Sequence, residues 1–152
     1  MELIKELPAL GRDLGPGLIL IGLTSLAAIL VGCLFEEWET LPWMATATVS
    51  LCGIGLLLRF LPKTSKVPRT STSIAATALV WVIVGLCGSL PFLFTGMSFL
   101  DAAFESMSAW TGTGFSIAED IEAWPKTLLF WRSFMQWVGG LGIVAFTLTV
   151  AN

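Results

Sequence analysis

The feature that most limits the folds open to this chain is residues 98–115, a helix-like stretch too short for the apolar sequence around it. Ser98, followed three residues later by Asp101, is a helix start of the capping-box type. From there to Trp110 is roughly a dozen residues, or about 18 Å of helix. The apolar runs on either side are long enough to cross a hydrocarbon core of about 30 Å, and this one is not. A helix that crosses halfway must turn back. Irregular backbone at membrane depth is tolerated only where it is buried in protein or lines a watery cavity. The turn is Thr111-Gly112-Thr113-Gly114-Phe115. Gly112 and Gly114 admit backbone angles closed to other residues, so successive carbonyls can be aimed the same way. A ring of such carbonyls replacing a cation's hydration shell is a selectivity filter. The negative end of the short helix dipole points at the same place. The pentapeptide alone fits equally well a Thr/Gly-rich loop between two ordinary membrane helices, where glycine is common.

Composition places the stretch in an integral membrane protein. Of 152 residues, 55% are hydrophobic and only 12% charged, half the charged share usual in a soluble domain, and the mean hydropathy is +0.85. The absence of His excludes imidazole-based metal sites, triads and proton switches. No nucleophile–base pair or metal cluster is visible, so the chain does not read as an enzyme and no bound cofactor is expected. Nothing is basic and aromatic enough to hold nucleic acid. Cys33, Cys52 and Cys87 lie singly inside apolar runs, which argues for small apolar filler rather than disulfides or zinc.

Taken in order, residues 1–13 are mixed in charge, with Lys5 and Arg12 before the first apolar run. That run is too long for a signal-peptide core and lacks a small-x-small cleavage site. Membrane spans are expected at 14–35, 41–61, 74–95 and 127–150. Pro42 opens the second, Pro91 lies near the far end of the third and Pro125 just precedes the fourth. The polar loop 59–73, carrying Lys63, Lys66 and Arg69, is the one boundary in the chain. It divides an N-terminal transmembrane helix pair (1–66) from a second unit (67–152). The fold class expected is all-α integral membrane: four transmembrane helices plus one re-entrant pore helix (98–110) and filter loop (111–115). In other words, one membrane–pore–membrane repeat follows a helix pair.

Charge gives the orientation. Lys5, Arg12, Arg59, Lys63, Lys66 and Arg69, six of the eight basic residues, fall on one side of this topology. The positive-inside rule makes that side, with the N-terminus, cytoplasmic. Glu36, Glu37, Glu39, Asp101, Glu119, Asp120 and Glu122 then face outward, and Trp38, Trp43 and Trp124 fall at the outer boundary. A multi-pass protein of the plasma membrane is expected.

Asp101 and Glu105 are spaced i, i+4 and share a face of the short helix. Glu105 lies in the apolar zone, where an unpaired charge is expensive. Arg132, early in the last span, is its candidate partner in a structural ion pair; snorkelling to the outer interface is the other use open to Arg132. The acidic outer loop is either a cation-gathering mouth or simply a solvated loop. Gly139-Gly140-Leu141-Gly142 looks like a fragment of a phosphate loop, but it sits mid-span with no preceding strand. Close helix packing is the better reading. Gln136 adds a polar group at membrane depth on the same helix, expected to bond a neighbouring helix or the back of the loop.

Several of these segments together closely resemble the Trk/Ktr/HKT superfamily of potassium transporters. They are Leu90-Pro91-Phe92, Asp101-Ala102-Ala103-Phe104-Glu105-Ser106, the Thr111 to Phe115 turn, and Leu129-Phe130-Trp131-Arg132-Ser133 running into Gln136-Trp137-Val138-Gly139-Gly140-Leu141-Gly142-Ile143-Val144. The match is to the first membrane–pore–membrane repeat, and the two spans before it look like the extra helix pair of the Trk branch. The resemblance implies that Thr111, Gly112, Thr113, Gly114 and Phe115 hold K⁺ through backbone carbonyls, with Gly114 at the family's filter glycine. The family usually has Thr where this chain has Gly112, which removes a hydroxyl and keeps the carbonyl. Also implied are K⁺ uptake, passive or coupled to Na⁺ or H⁺, and cytoplasmic nucleotide-binding regulatory subunits as partners. Family members carry four such repeats around one pore, and this chain carries one. The remaining repeats come from another chain, or from further copies in a self-assembling tetramer. A non-conducting membrane scaffold left by a truncated transporter is the reading from a different class.

Overall fold

Proline, glycine and charge punctuate the apolar runs, and helices form between them. The computed structural model describes residues 14–61 and 70–151, and among these all regular structure is helical. The helices are α1 (Leu14–Leu34), α2 (Leu41–Arg59), α3 (Thr70–Ser89), α4 (Phe99–Trp110) and α5 (Lys126–Ala151). The expected N-terminal charges Lys5 and Arg12, the loop charges Lys63, Lys66 and Arg69, and the division at 66/67 lie outside the described residues. Leu14–Leu34, Leu41–Arg59 and Ile74–Thr95 are each long and apolar enough to cross a membrane.

Two spans are less regular than their apolar runs suggest. In α1 the helix loosens at Ser25, whose amide and hydroxyl both turn to the Gly22 carbonyl, at 3.3 Å and 2.6 Å. The same hydroxyl meets the Thr48 hydroxyl of α2 at 2.5 Å. A serine that bonds its own preceding turn competes with the helical ladder and loosens it there. The third span changes character at Leu90–Thr95, where α3 tightens into a 3₁₀ segment. Pro91, second in that segment, has no N–H to continue the α-helical pattern. Gly96 (φ +82°) then stops the segment and turns the chain toward α4.

The end of α1 fixes the start of α5. Glu36 takes a left-handed conformation (φ +57°), and the Glu37 amide reaches back to the Gly32 carbonyl at 2.9 Å. This wrapped ending orders Glu37. Its carboxylate then accepts the amides of Lys126 (2.8 Å) and Thr127 (2.9 Å) and the Thr127 hydroxyl (2.6 Å). Those are unpaired donors in the first turn of α5, satisfied by a residue far away in sequence. Glu37, one of the acids expected on the outer side, caps the last helix.

The core runs between the helices. Met44, Ala47 and Leu51 of α2, Val84 of α3, Phe92, Ala102, Ala109 and Trp110 around α4, and Leu128, Trp131 and Met135 of α5 are all buried. Trp131 donates its indole N–H to the Gly88 carbonyl (3.1 Å), joining α5 to α3, and stands edge-on to Trp110 at 6.2 Å. The outward faces are also apolar: Leu20, Leu30, Val49, Leu57 and Val144 expose more than half their surface. Only hydrocarbon or further protein covers such surfaces favourably. Cys33, Cys52 and Cys87 are free thiols.

The Glu37 cap yields a pH prediction. Burial works against the Glu37 carboxylate, but the bonds from Thr127 and Lys126 and the Lys126 charge outweigh it, so its pKa is lowered. Its stabilisation is therefore present above the ordinary carboxylate range and lost as pH falls through the lowered value. Glu37→Gln should reduce unfolding free energy by about 1 kcal/mol at neutral pH. In thermal unfolding followed in detergent, the gap between the two proteins should close as the medium is acidified below that range.

Candidate functional site

Helix α4 is built to present one face inward and its C-terminal end to a loop. Ser98 is its N-cap: its hydroxyl accepts the Asp101 amide (3.2 Å) and donates to the Asp101 carboxylate (2.7 Å). Asp101 is thereby used in capping. The inward face carries Ala102, Glu105, Ser106, Ala109 and Trp110, all buried at helical spacing. Its fit against α5 depends on Gly139, where a methyl group would land on the Trp110 carbonyl oxygen. Of the three glycines in the Gly139–Gly142 run, this one is needed for close approach; a methyl on Gly140 meets nothing, and one on Gly142 meets Trp81 only at an ordinary 3.8 Å.

Beyond Thr111 the backbone twists twice into the left-handed region, at Gly112 (φ +73°) and Gly114 (φ +75°). Those angles are why glycine stands there. Gly114 is also crowded: a side chain would come within 3.0 Å of the Gln136 side-chain amide, which places Gln136 behind the loop. The end of α4 collects the loop. The Ser108 carbonyl accepts the Gly114 amide (3.2 Å) and the Thr113 hydroxyl (3.1 Å), while the Ser108 hydroxyl donates to the Phe115 carbonyl (2.6 Å). The Thr111 and Thr113 hydroxyls meet at 2.7 Å.

Behind the loop lies a charged pair. The wholly buried Glu105 accepts Arg132 Nε at Oε2 (3.1 Å). Its Oε1 accepts the Ile117 amide (2.8 Å) and the Ser116 hydroxyl. Arg132, itself only 12% exposed, extends Nη2 to the Gly114 carbonyl (2.8 Å) and the Phe115 carbonyl (3.2 Å). Of the two uses open to Arg132 in the sequence, the structure takes the ion pair. A carboxylate in such surroundings is stable only because every lone pair that matters has a donor.

The five loop residues are therefore not alike. Among the described residues, no hydrogen bond reaches the carbonyls of Thr111, Gly112 or Thr113, and these three residues are exposed. The Gly114 and Phe115 carbonyls turn to Arg132. Of the five residues expected to offer carbonyls, Gly114 and Phe115 have theirs hydrogen-bonded by protein side chains. Ser108 and Ser116, central to the arrangement, were not singled out from sequence. Ser108 was within reach, because it sits three residues after Glu105 and hence on the same helix face. Nothing local marks Ser116. The loop acids Glu119, Asp120 and Glu122 are exposed, and Asp120 accepts the Ala123 amide at 3.3 Å.

Comparison with known proteins agrees on one relationship. The family model described as TrkH: Cation transport protein matches residues 43–151. An uncharacterized cation transporter of Methanocaldococcus jannaschii is 34% identical over 96% of this chain and 31% of that protein. The Trk system potassium uptake protein TrkH of Halomonas elongata is 36% identical over 91% of this chain and 30% of that protein. The crystal structure of the potassium transporter TrkH from Vibrio parahaemolyticus superposes with a TM-score of 0.86 at 31% identity, covering 95% of this chain and 32% of that one. The chain thus spans about a third of the length of the relatives it matches.

The contact between α4 and α5 can be tested with two neighbouring glycines. Gly139→Ala should cost about 1–3 kcal/mol of stability by pushing on the Trp110 carbonyl. Gly140→Ala, in open space, should cost nothing and gain slightly from helix propensity. Thermal melting of both variants in detergent checks the difference.

Proposed function

The chain belongs to the TrkH family of cation transport proteins, and on that premise we propose that it supplies one quarter of a potassium-selective pore. The observation that carries this reading is the loop itself. Three successive carbonyls, Thr111 to Thr113, accept no hydrogen bond among the described residues; a left-handed glycine (Gly112) stands within the run and another (Gly114) follows it, and the rest of the loop is tied down by Ser108, Glu105 and Arg132. Such groups replace the hydration shell of a cation at little reorganisation cost. Residues 111–115 are the filter segment in this reading, with ion contact concentrated on its first three carbonyls and Gly114 as the hinge that lets the backbone turn away. K⁺ is the transported ion, and Na⁺ or H⁺ coupling would be a property of the assembled transporter.

The architecture proposed is four membrane spans, with α5 as the fourth, and α4 re-entering from the outer side. Residues 1–66 form the helix pair and 67–152 the membrane–pore–membrane unit. The N-terminus is cytoplasmic and the protein resides in the plasma membrane, on the strength of the charge distribution. Because the chain spans about a third of its relatives, the other three pore repeats are proposed to lie in the remainder of a longer protein or in partner chains. Regulation by a cytoplasmic nucleotide-binding subunit follows the family resemblance.

Rubidium uptake into proteoliposomes tests this. The 152-residue chain alone should remain without flux, and saturable, K⁺-competed uptake should require the remaining repeats. Saturable flux from the chain alone, running at the mass of a tetramer, would contradict the placing of the other three repeats in a longer protein or in partner chains. Within a conducting assembly, Gly114→Ser should lower rubidium uptake by about tenfold or more, since its added side chain meets both an unfavourable φ and Gln136. Unchanged K⁺-dependent growth of a transport-deficient host carrying that variant would sink the filter assignment.

A further inference from the structure

Far from the loop 111–115, a cleft of about 660 Å³ opens where three helices end. The turn from Glu36 to Thr40, which joins α1 to α2, forms one wall, and the residues leading into α5 form the other. Helices α1 and α2 are each long and apolar enough to cross a membrane, so the end they share lies at a membrane surface. Leu34 and Phe35, just inside that end, are exposed, as side chains facing hydrocarbon are.

The cleft carries both signs of charge. Glu37 is committed to capping α5. Glu36 and Glu39 are exposed, and among the described residues neither carboxylate closes an ion pair. On the opposite wall the Lys126 ammonium stands 4.3 Å from the centre of the Phe35 ring and likewise closes no ion pair among the described residues. Trp38, 61% exposed, and Trp124 add indoles with an apolar body and a polar tip. Among the described residues, no three carboxylate or thiol groups gather closely enough to hold a metal ion, so the glutamates do not converge on a point cation. The complementary ligand is extended, with a cationic end, an anionic end and an apolar tail. An anionic headgroup without an ammonium would meet Glu36 and Glu39 unfavourably. A quaternary ammonium is suited to free aromatic faces, but Phe35 is taken by Lys126 and Trp124 packs on Phe92 at 5.4 Å.

We propose that this cleft binds the headgroup of a membrane phosphatidylethanolamine, its ammonium donating to Glu36 and Glu39, its phosphate on Lys126 and its acyl chains running down past Leu34 and Phe35. The site goes beyond the pore reading and requires only that α1 and α2 span the membrane. A headgroup held this way joins the α1–α2 turn to the start of α5, the same joint that the Glu37 cap closes, and so steadies it.

The test is lipid binding to the complete transporter containing this chain, followed by native mass spectrometry during titration with lipids of identical acyl chains. Phosphatidylethanolamine should bind more tightly than phosphatidylcholine or phosphatidylglycerol. Lys126→Gln, and the paired Glu36→Gln and Glu39→Gln, should each weaken its binding by about fivefold or more. Equal binding of the three lipids, tighter binding of either rival, or unchanged affinity in the folded variants would overturn the proposal. Displacement of the lipid by an equal concentration of soluble glycerophosphoethanolamine would overturn the assignment to a membrane lipid. Should the variants fail to fold, a photoreactive phosphatidylethanolamine on the wild-type transporter should label residues 36–40 or 124–126, and labelling confined to other segments would overturn the site. Because the readout is binding, its failure is distinct from a failure of rubidium uptake.

Discussion

A single carboxylate buried among apolar side chains governs the arrangement of this molecule. Glu105 has no exposed surface, and a charge there is tolerable only if its oxygens are saturated and its charge balanced. Meeting that requirement brings Arg132 in from α5 and the Ser116–Ile117 segment in from the loop. Once Arg132 is held there, its second nitrogen reaches the Gly114 and Phe115 carbonyls. Satisfying one buried acid thus shapes the loop, together with the bonds that Ser108 makes to Thr113, Gly114 and Phe115. The glycines permit the backbone angles, and the ion pair selects them.

That network works only if α4 and α5 approach closely and in the correct register. Gly139 permits the approach by leaving room for the Trp110 carbonyl, and Trp131 fixes the register through the Gly88 carbonyl of α3. At the start of α5, Glu37 holds the Lys126 and Thr127 amides. The region between α1 and α2 thereby reaches the loop indirectly, by setting where the helix carrying Arg132 begins. This gives the N-terminal helices a physical role in the site even though none of their side chains touches it among the described contacts.

Much of the helical layout was legible in the sequence, because long apolar runs bounded by proline and charge have few alternatives. Most described helix ends fall within about two residues of those the runs suggest, the usual uncertainty at a helix terminus; the third helix differs, starting at Thr70 inside the expected polar loop and giving way to a 3₁₀ segment after Ser89. Ser98 and Asp101 announced the start of α4 by a local rule, and they cap it as that rule requires. Interactions between distant residues were harder to read. The Glu37 cap joins segments roughly ninety residues apart, and no spacing rule connects them. The loosening at Ser25 depends on its own preceding turn and on Thr48 in the next helix, so it too needs the packed structure. Within the loop, glycine positions revealed where the backbone turns. They did not reveal which carbonyls would face the protein, because that depends on where Arg132 arrives.

In the function proposed, cations meet this chain at the carbonyls of Thr111, Gly112 and Thr113 and not at the Phe115 carbonyl, which already accepts from Ser108 and Arg132. Anomalous diffraction from crystals of the complete transporter grown in thallium tests it most directly. The account predicts anomalous density in contact with carbonyls of the Thr111–Thr113 run and none on the Phe115 oxygen. Density seated on the Phe115 carbonyl, or an occupied pore with none along residues 111–113, would contradict it.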